Sequence, residues 1–478
     1  MKFHVYQSPS AGSATRAILL FAGWGMDERP FANVGVEGYR LIVVYDYRDA
    51  TFPPELESAL SDDYEEIAVV AWSFGVPAAT RFILSHNNLP ITARIAVNGT
   101  MHPVDDSRGI PSAIFRGTLD ALDERSLVKF NRRMCGGSEA FLEFSRRAPL
   151  RPIDELRDEL AAIAAANSPA PKGVWDRAVV GSADRIIPTA NQLTAWVDGG
   201  EAFETITVDS PHLPDFNRLF VMLLTRKGLV AEKFTRAETT YDDNAVVQHE
   251  IADRLCALAE RFRPTVDSAR RPDLLEIGCG TGMTTRMIAR RLDAATIRAW
   301  DLHLPTSAPV IDDDAAARTA VIACECDAET ALRRQPDESF DIIFSASTMQ
   351  WFNSPATFLR ECRRTLRPGG CVAVSTFGPE TMHEINALRS VSRHYPTVDA
   401  IRRMIPDGCS LLHLSTETRR LTFPTPADAL RHVRLTGVNA LGSEAGASAV
   451  RTIIRDYPLT PVGEATVTYQ PIYLVFKK

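Results

Sequence analysis

The sequence predicts an α/β protein made of two domains, each built on a parallel sheet. Short apolar runs that favour strands alternate with longer segments of helical periodicity along the 478 residues, as in sheets joined by helical crossovers. At about 100–200 residues per domain, this length suits two or three domains. The strand-like runs form two groups, one on each side of a charged stretch at residues 225–233. We therefore predict one domain at residues 1–225 and a second at 226–478, divided near Arg226.

The order of the predicted strands also locates a helical insertion. In the first domain the strands are Phe3–Tyr6, Ala17–Phe21, Leu41–Tyr45, Ile67–Ala71, Arg94–Val97, Arg177–Val180 and Thr205–Val208. In the second they are Asp273–Ile277, Ile297–Trp300, Val321–Cys324, Phe340–Phe344, Cys371–Thr376, Arg420–Phe423 and Ile472–Phe476. Residues between Phe115 and Asn167 are charged and helical in pattern. Because such an insertion usually lies over the ligand-binding edge of a parallel sheet, we expect a lid at about residues 115–167.

Composition excludes several classes of function. Lys and Arg total 53 against 60 Asp and Glu, a net charge of −7, so the chain lacks the basic excess of a nucleic-acid-binding protein. The 8 cysteines form no zinc-like spacing, so we predict no metal site and expect most of them in the core. Neither a signal-like start nor a stretch near the ~18 apolar residues of a membrane helix occurs. We expect a cytoplasmic protein without a membrane partner.

A strand, a tight turn and a helix are predicted around Ser73. The apolar run 67–72 is followed by Ser73, Phe74 and Gly75, and then by small residues that open a helix. This pattern is typical of the nucleophile elbow G-x-S-x-G, with Ala71 in place of the first glycine. Taken alone, the segment also fits a serine that only caps a helix in a nucleotide-binding sheet.

Two later turns supply partners for this serine. Asp184 follows a predicted strand, and His212 lies just after the last strand of the domain. The order Ser, acid, His is that of α/β-hydrolases. We predict that His212 takes the proton of Ser73 and that Asp184 orients the imidazole ring. The backbone N–H groups of Phe74 and Trp24 are predicted to form the oxyanion hole.

The segments around Trp24, Ser73, Asp184 and His212, together with Asn131-Arg-Arg-Met-Cys-Gly136, resemble one family. Residues 1–225 are similar to BioG, the pimeloyl-carrier-protein methyl ester esterases of bacterial biotin synthesis. The resemblance implies an α/β-hydrolase fold and a substrate attached to acyl carrier protein, which is a strongly acidic partner. Arginines of the lid then become candidates for docking that partner, with a solvated helix face as the alternative. These are Arg132, Arg133, Arg146 and Arg147.

A glycine-rich turn follows the first predicted strand of the second domain. The segment Glu276-Ile-Gly278-Cys-Gly280-Thr-Gly282 is neither a P-loop nor the G-x-G-x-x-G of dinucleotide-binding folds. Phosphate is therefore not the expected ligand. The pattern resembles the first motif of class I methyltransferases, whose glycines let the backbone approach S-adenosylmethionine.

Further candidate cofactor-binding residues follow in chain order. Asp301 ends the second predicted strand, where a carboxylate can accept both ribose hydroxyls. Asp327 and Ala328 resemble the segment that meets adenine, the acid accepting from the exocyclic amine. Ser345 begins the loop that leads to Trp351, beside the expected position of the methyl group.

The resemblance extends over residues 227–478. The segments Ala231–Gln248, Ser345–Phe352 and Arg434–Ala440 make this region similar to BioC, the malonyl-carrier-protein O-methyltransferases of the same pathway. Tyr241 and Gln248 would close over cofactor and substrate, although an ordinary helix with a polar face is the alternative. A carboxylate is already ionised at pH 7, so no general base is predicted.

Together the two resemblances imply one bifunctional enzyme. It would methylate the carboxylate of malonyl-carrier protein, which removes a charge that is costly to bury during chain elongation, and later hydrolyse the pimeloyl ester. Two alternatives stay open. The chain could act on unrelated small metabolites without a carrier protein, or its first half could recruit carrier protein without catalysing a reaction.

Overall fold

The computed structural model describes residues 1–6, 15–61, 64–166, 171–225, 227–264, 270–305, 319–389, 394–436 and 447–478. These residues form two compact units, Met1–Val221 and Met222–Lys478. Arg226, where the sequence places the division, lies outside the described residues. Each unit has its own sheet, and both belong to the α/β class.

The first unit contains a seven-stranded sheet. Its strands are β1 (Lys2–Val5), β2 (Arg16–Phe21), β3 (Arg40–Tyr45), β4 (Glu66–Trp72), β5 (Ile91–Val97), β6 (Trp175–Gly181) and β7 (Ala202–Val208). They are ordered β1-β3-β2-β4-β5-β6-β7, and the seven predicted strands are confirmed. The pairing is parallel except between β1 and β3. Strand β4 is buried along its whole length, as expected for the centre of a parallel sheet covered on both faces.

Helices of the first unit surround this sheet. They are α1 (Pro54–Ser61), α2 (Gly75–Ser85), α3 (Ser112–Asp120), α4 (Glu124–Cys135), α5 (Ser138–Ser145), α6 (Ile153–Ala165), α7 (Thr189–Leu193) and α8 (Phe216–Leu223), the last of which ends two residues beyond Val221. The four helices α3 to α6 follow one another between β5 and β6, and together we call them the helical insertion. Asp123 begins α4 with a capping box shared with Ser126, and Gly136 ends it in the left-handed conformation, which glycine adopts without steric cost.

The second unit contains a further seven-stranded sheet and a two-stranded one. The strands are β8 (Asp273–Ile277), β9 (Thr296–Asp301), β10 (Ala320–Glu325), β11 (Phe340–Ser345), β12 (Leu366–Phe377), β13 (Ser410–Thr416), β14 (Arg419–Phe423), β15 (Ala465–Tyr469) and β16 (Pro471–Lys477). The large sheet has the order β10-β9-β8-β11-β12-β16-β13, and β14 pairs with β15.

This arrangement corrects the prediction of a wholly parallel sheet. Strand β16 runs antiparallel to both of its neighbours, β12 and β13. The predicted strand Arg420–Phe423 is present as β14, but it belongs to the small sheet. Strands β13 and β15 were not predicted.

The helices of the second unit pack on its two sheets and on one another. They are α9 (Lys227–Asn244), α10 (Val246–Arg261), α11 (Met283–Arg291), α12 (Ala328–Ala331), α13 (Pro355–Thr365), α14 (His383–Asn386), α15 (Val398–Met404), α16 (Pro426–Leu435) and α17 (Ala447–Asp456). Ile251 and Leu255 of α10 belong to one buried cluster with Leu274 of β8 and Ile288 of α11. This core supports the edge of the sheet where β8, β9 and β11 end.

Most of the cysteines lie in the core, as predicted. Five are buried, whereas Cys326 and Cys409 are half-buried and Cys324 is exposed. In the described parts of the chain, no helix combines the length and the apolar character needed to cross a bilayer.

Candidate active sites

Ser73 lies in a strained turn at the carboxyl end of β4. Its φ angle is +57°, in the left-handed region that residues other than glycine rarely adopt. Two glycines allow the backbone to close around it. A Cβ atom on Gly75 would overlap the carbonyl oxygen of Phe21, and one on Gly99 would overlap the carbonyl oxygen of Ser73. Such strain is typical of the turn that presents a nucleophile.

The three residues predicted to act together form one hydrogen-bonded chain. His212 Nε2 lies 2.9 Å from Ser73 Oγ, and His212 Nδ1 lies 2.8 Å from Asp184 Oδ2. Ser73 is 5%, His212 2% and Asp184 8% exposed. This geometry allows His212 to accept the hydroxyl proton of Ser73 while Asp184 accepts the other ring N–H.

Asp184 is held by donors that the sequence analysis did not identify. Its Oδ1 accepts the backbone N–H groups of Ile186 at 2.8 Å and Ile187 at 3.0 Å. Its Oδ2 also accepts Gln192 Nε2 at 2.8 Å, and Gln192 is buried. These hydrogen bonds fix the direction in which the carboxylate faces His212.

The backbone of His212 is anchored as well. Its carbonyl oxygen accepts Trp72 Nε1 at 2.8 Å and Asn98 Nδ2 at 2.9 Å. Asn98 Oδ1 in turn accepts the backbone N–H of Gly181 at 2.6 Å. The histidine loop is therefore tied to the carboxyl ends of β4, β5 and β6, and Asn98 is another residue that the sequence did not single out.

The predicted oxyanion donors border Ser73. Phe74 follows Ser73 directly, and a Cβ atom on Gly23, next to Trp24, would lie 3.3 Å from the Cβ of Ser73. Among the described residues, neither the Trp24 nor the Phe74 backbone N–H has a hydrogen-bond acceptor. The Trp24 side chain is buried, and its Nε1 donates to the carbonyl oxygen of Leu156 at 2.8 Å. Both amides are thus available to a substrate oxygen.

The four arginines of the predicted lid have different environments. Arg132 and Arg133 are exposed near the end of α4, with their guanidinium groups 5.1 Å from the ring centroid of Phe141 and 6.0 Å from that of Phe130. Arg146 is exposed but forms an ion pair with Glu143 at 2.5 Å. Arg147 is half-buried. Arg132 and Arg133 are therefore the better candidates for binding an acidic partner.

A second candidate site is a cavity in the second unit, at the carboxyl edge of its large sheet. Among the predicted residues, those that line the cavity are Tyr241, Gln248, Gly278, Gly280, Asp301, Asp327, Ala328 and Trp351. Glu276, Gly282 and Ser345 are not among its lining residues. The part of segment Arg434–Ala440 beyond residue 436 lies outside the described residues.

The glycine turn shapes one wall of the cavity. Gly278, Gly280 and Gly282 have φ angles of +81°, +50° and +79°, which favour glycine at all three positions. A Cβ atom on Gly278 would overlap the side chain of Thr348, whereas one on Gly280 would meet no protein atom within 4 Å. Gly278 is therefore required by packing, and Gly280 keeps space open for a ligand.

The acidic residues of the motif have separate roles. Asp301 Oδ2 accepts the backbone N–H of Gly280 at 2.8 Å, and burial raises the pKa of Asp301. Glu276 lies beneath the turn, where its Oε2 accepts a hydrogen bond from the hydroxyl group of Thr285 at 2.6 Å. Burial raises the pKa of Glu276 to about 8. Ser345 is buried and is not among the residues that line the cavity, and its Oγ donates to the carbonyl oxygen of Ile277 at 3.0 Å, so contact between Ser345 and the cofactor stays a prediction.

Several lining groups fit S-adenosylmethionine. The buried Gln248 Oε1 and Ser347 Oγ have no hydrogen-bond partner among the described residues, and both residues line the cavity. They can therefore serve the ammonium or hydroxyl groups of a ligand. The ring centroid of Phe234 lies 5.8 Å from that of Trp351 and 6.1 Å from that of Tyr241, which gives the cavity the aromatic wall that a cationic sulfur favours.

A buried lysine that the sequence analysis missed lies at the predicted adenine end. Lys227 is 2% exposed, and its Nζ is 2.6 Å from Asp327 Oδ2 and 2.7 Å from Glu329 Oε2. Asp327 thus already accepts a hydrogen bond from the charged Lys227. If Asp327 also binds the amine of adenine, its carboxylate must accept from both groups. Cys279 and Cys326 also line the cavity.

Comparisons with known proteins match both units. Residues 7–219 match the family described as pimeloyl-ACP methyl esterase BioG, and residues 275–374 match a methyltransferase domain. A protein of Bacteroides fragilis (strain 638R) named malonyl-[acyl-carrier protein] O-methyltransferase is 36% identical over 472 residues, which cover 97% of this chain and 93% of that protein. A protein of the same name from Porphyromonas gingivalis is 31% identical over 255 residues, 52% of this chain and 95% of its own. The crystal structure of BioG from Haemophilus influenzae is 34% identical and covers 44% of this chain and 94% of its own, with a TM-score of 0.38.

Proposed function

The chain belongs to the family of malonyl-[acyl-carrier protein] O-methyltransferases, and from this membership we propose that it performs two steps of biotin synthesis. The second unit uses S-adenosylmethionine to methylate the free carboxylate of malonyl-carrier protein. The first unit hydrolyses the methyl ester of pimeloyl-carrier protein. The observation that carries the esterase assignment is the chain of hydrogen bonds from Ser73 through His212 to Asp184, at 2.9 and 2.8 Å.

In the esterase reaction, Ser73 Oγ attacks the ester carbonyl as His212 Nε2 takes its proton. Asp184 holds the ring and stabilises the imidazolium. The Trp24 and Phe74 backbone N–H groups bind the developing oxyanion. His212 then returns the proton to the departing methoxide, methanol leaves, and a water molecule hydrolyses the acyl-serine by the same route. Removing a single oxyanion donor typically costs about 10²–10³ in kcat.

In the methyltransferase reaction, the substrate carboxylate is itself the nucleophile. It is ionised at pH 7, so no protein base is required. S-adenosylmethionine supplies a methyl group on a positively charged sulfur. The protein contributes position and exclusion of water: Asp301, Gln248 and Ser347 would hold polar groups of the donor, and Trp351 and Tyr241 would provide the aromatic surface for its positive charge. Such alignment can contribute up to roughly 7–11 kcal/mol.

Acyl carrier protein is the common partner of both reactions in this proposal. Two names support it, since both include that carrier: the family that matches residues 7–219 is described as pimeloyl-ACP methyl esterase, and the relative that covers 97% of the chain is named malonyl-[acyl-carrier protein] O-methyltransferase. The exposed Arg132 and Arg133 are suited to its acidic surface by charge. They belong to the helical insertion, which would act as a lid over the esterase site.

Substitution of Ser73 by alanine tests the proposal. Because the variant lacks the nucleophile, we expect hydrolysis of pimeloyl-carrier-protein methyl ester to fall by about 10³-fold or more. Methylation of malonyl-carrier protein by the same preparation is the internal control and should be unchanged. Wild-type hydrolysis by Ser73→Ala would contradict the esterase assignment. A preparation that hydrolyses the ester normally but fails to methylate malonyl-carrier protein would contradict the methyltransferase assignment.

A further inference from the structure

Glu159 is a buried carboxylate on α6 to which the proposed reaction gives no role. It lies within the helical insertion and has an exposure of 0%. A buried carboxylate is costly unless its charge and lone pairs are compensated. Its partners therefore show what the group does.

The Glu159 carboxylate joins three separate parts of the first unit. Its Oε2 accepts the backbone N–H of Gly25 at 3.2 Å and Arg151 Nη1 at 2.7 Å. Its Oε1 accepts the backbone N–H of Tyr47 at 2.8 Å. The guanidinium of Arg151 compensates the charge and also lies 3.1 Å from Asp46. One side chain thus holds the loop after β2 and the loop after β3 against α6.

More hydrogen bonds connect the loop after β2 with α6 and with the residues that precede α6. Trp24 Nε1 donates to the carbonyl oxygen of Leu156 at 2.8 Å. Asp27 Oδ2 accepts the backbone N–H of Leu150 at 2.8 Å, and Arg29 Nε donates to the carbonyl oxygen of Ala148 at 3.1 Å. Residues 148–159 are therefore attached to the loop that carries Trp24. This part of the insertion therefore holds the loop that carries one of the two predicted oxyanion donors.

We infer that Glu159 is a positioning residue of the esterase, which holds the Trp24 backbone N–H in place for the oxyanion. Gly25 has a φ angle of +77°, and glycine can leave this conformation at little cost once its N–H is released. The hydrogen bond that Glu159 accepts from Gly25 fixes the peptide group between Trp24 and Gly25. This peptide directly follows the one that carries the Trp24 N–H. The inference rests on the proposed esterase function of Ser73.

The test compares Glu159→Gln with Asp158→Asn, an exposed neighbour on the same helix. Glutamine keeps the size of the side chain but has one acceptor oxygen and no charge. In either orientation of the amide it loses the ion pair with Arg151, and its NH₂ group opposes the N–H of Gly25 or of Tyr47, so the attachment of these two loops to α6 is weakened. We expect kcat on an aryl ester to fall about 10- to 100-fold with KM within about 3-fold, since oxyanion contacts form in the transition state. Binding of an alkyl boronic acid, which forms a tetrahedral adduct with the serine, should weaken by the same factor. Asp158→Asn should match wild type in both measurements.

A folded Glu159→Gln protein with wild-type kcat and boronate affinity would overturn the inference, and so would a change confined to KM. If Glu159→Gln does not fold, Trp24→Phe provides the second test, because it removes the indole bond to Leu156 and keeps the backbone N–H. We expect kcat to fall about 3- to 10-fold with KM unchanged, and wild-type kcat would overturn the inference. Failure of the esterase proposal would be distinct, because activity would then survive in Ser73→Ala.

Discussion

Glu276 is a buried carboxyl group that retains its proton at neutral pH. Burial raises the pKa of Glu276 from 4.5 to about 8, and its single described hydrogen bond comes from Thr285. The folded protein therefore keeps a proton that the unfolded chain releases above about pH 4.5. The free energy of unfolding should fall as the pH rises from about 4.5 to about 8, and should not change further from this group above that range.

Substitution of Glu276 by glutamine should remove this pH dependence. Each pKa unit corresponds to about 1.4 kcal/mol, so we expect a relative stabilisation of a few kcal/mol at pH 8 and little change at pH 4.5. Melting temperatures at several pH values would measure it, with Glu260→Gln on the exposed face of α10 as the control. Parallel pH curves for Glu276→Gln and wild type would contradict the prediction.

At the level of single residues, the sequence was informative where a side chain adjoins the end of a strand. Ser73, Asp184 and His212 are such residues, and parallel strands bring their carboxyl ends to one edge of a sheet. Gln192 and Glu159 could not be identified in this way. Each acts through a partner on another element, and nothing in the local sequence indicates that contact.

The glycine turn after β8 separates a packing requirement from a binding requirement. In Gly280→Ala the new methyl group meets no protein atom within 4 Å, so it should occupy ligand space. At about 1–3 kcal/mol for overpacking, we expect affinity for S-adenosylhomocysteine to fall roughly 5- to 150-fold. The melting temperature should fall by only a few degrees, because alanine is strained at the φ angle of +50° but meets no protein atom. Calorimetric titration would measure the affinity.

Two other glycines serve as controls for this substitution. Gly278→Ala should mainly lower the melting temperature, because the side chain of Thr348 occupies the space of the new methyl group. Gly228→Ala, in an open position on α9, should change neither property appreciably. Unchanged affinity in Gly280→Ala would contradict the proposed position of the donor.

Helix α4 offers a test of carrier-protein docking. Reversal of both charges in Arg132→Glu/Arg133→Glu should lower kcat/KM for the carrier-bound ester about 10-fold or more, with a weaker effect at high salt. Hydrolysis of a small free ester should be unchanged. Arg146→Glu is the matched control, since Glu143 already pairs with Arg146. Equal loss with both substrates would indicate damage to the site and would exclude a docking role.

At the level of elements, apolar runs were sufficient to locate most strands. Strands β13 and β15 escaped because neither is a continuous apolar run: serine, histidine and threonine interrupt the leucines of β13, and threonine alternates with apolar residues in β15. The direction of β16 was also missed. Periodicity shows which side chains share a face of a strand, but it does not show whether neighbouring strands run parallel or antiparallel.

One chain that both adds and removes methyl esters must avoid hydrolysing its own first product. Leu127 and Phe130 are apolar residues of the helical insertion that lie beside Trp24, and we expect their side chains to contact the acyl chain of the substrate. The pimeloyl group has four more methylenes than the malonyl group. At ~0.8 kcal/mol each, their burial would favour pimeloyl ester by roughly 200-fold in kcat/KM. Competition between the two carrier-bound methyl esters measures this ratio, and equal rates would exclude selection by chain length.

For the whole molecule, the sequence predicted two α/β units because each half has its own set of apolar strands and its own glycine-containing turn. It did not predict how far each site depends on the rest of its unit. The loop of Trp24 is held by α6, and Asp327 is held by Lys227. Such dependence is created by the packing of distant segments and has no local pattern.

The closely packed turn at Ser73 has a consequence for the detection of related enzymes. Alanine replaces the usual leading glycine at position 71, whereas backbone atoms leave no room for a side chain at Gly75 and Gly99. A search that insists on glycine two places before the nucleophile would overlook such chains. A pattern that allows alanine there would recover them, provided that it requires glycine two places after the serine and two places after the end of the next strand.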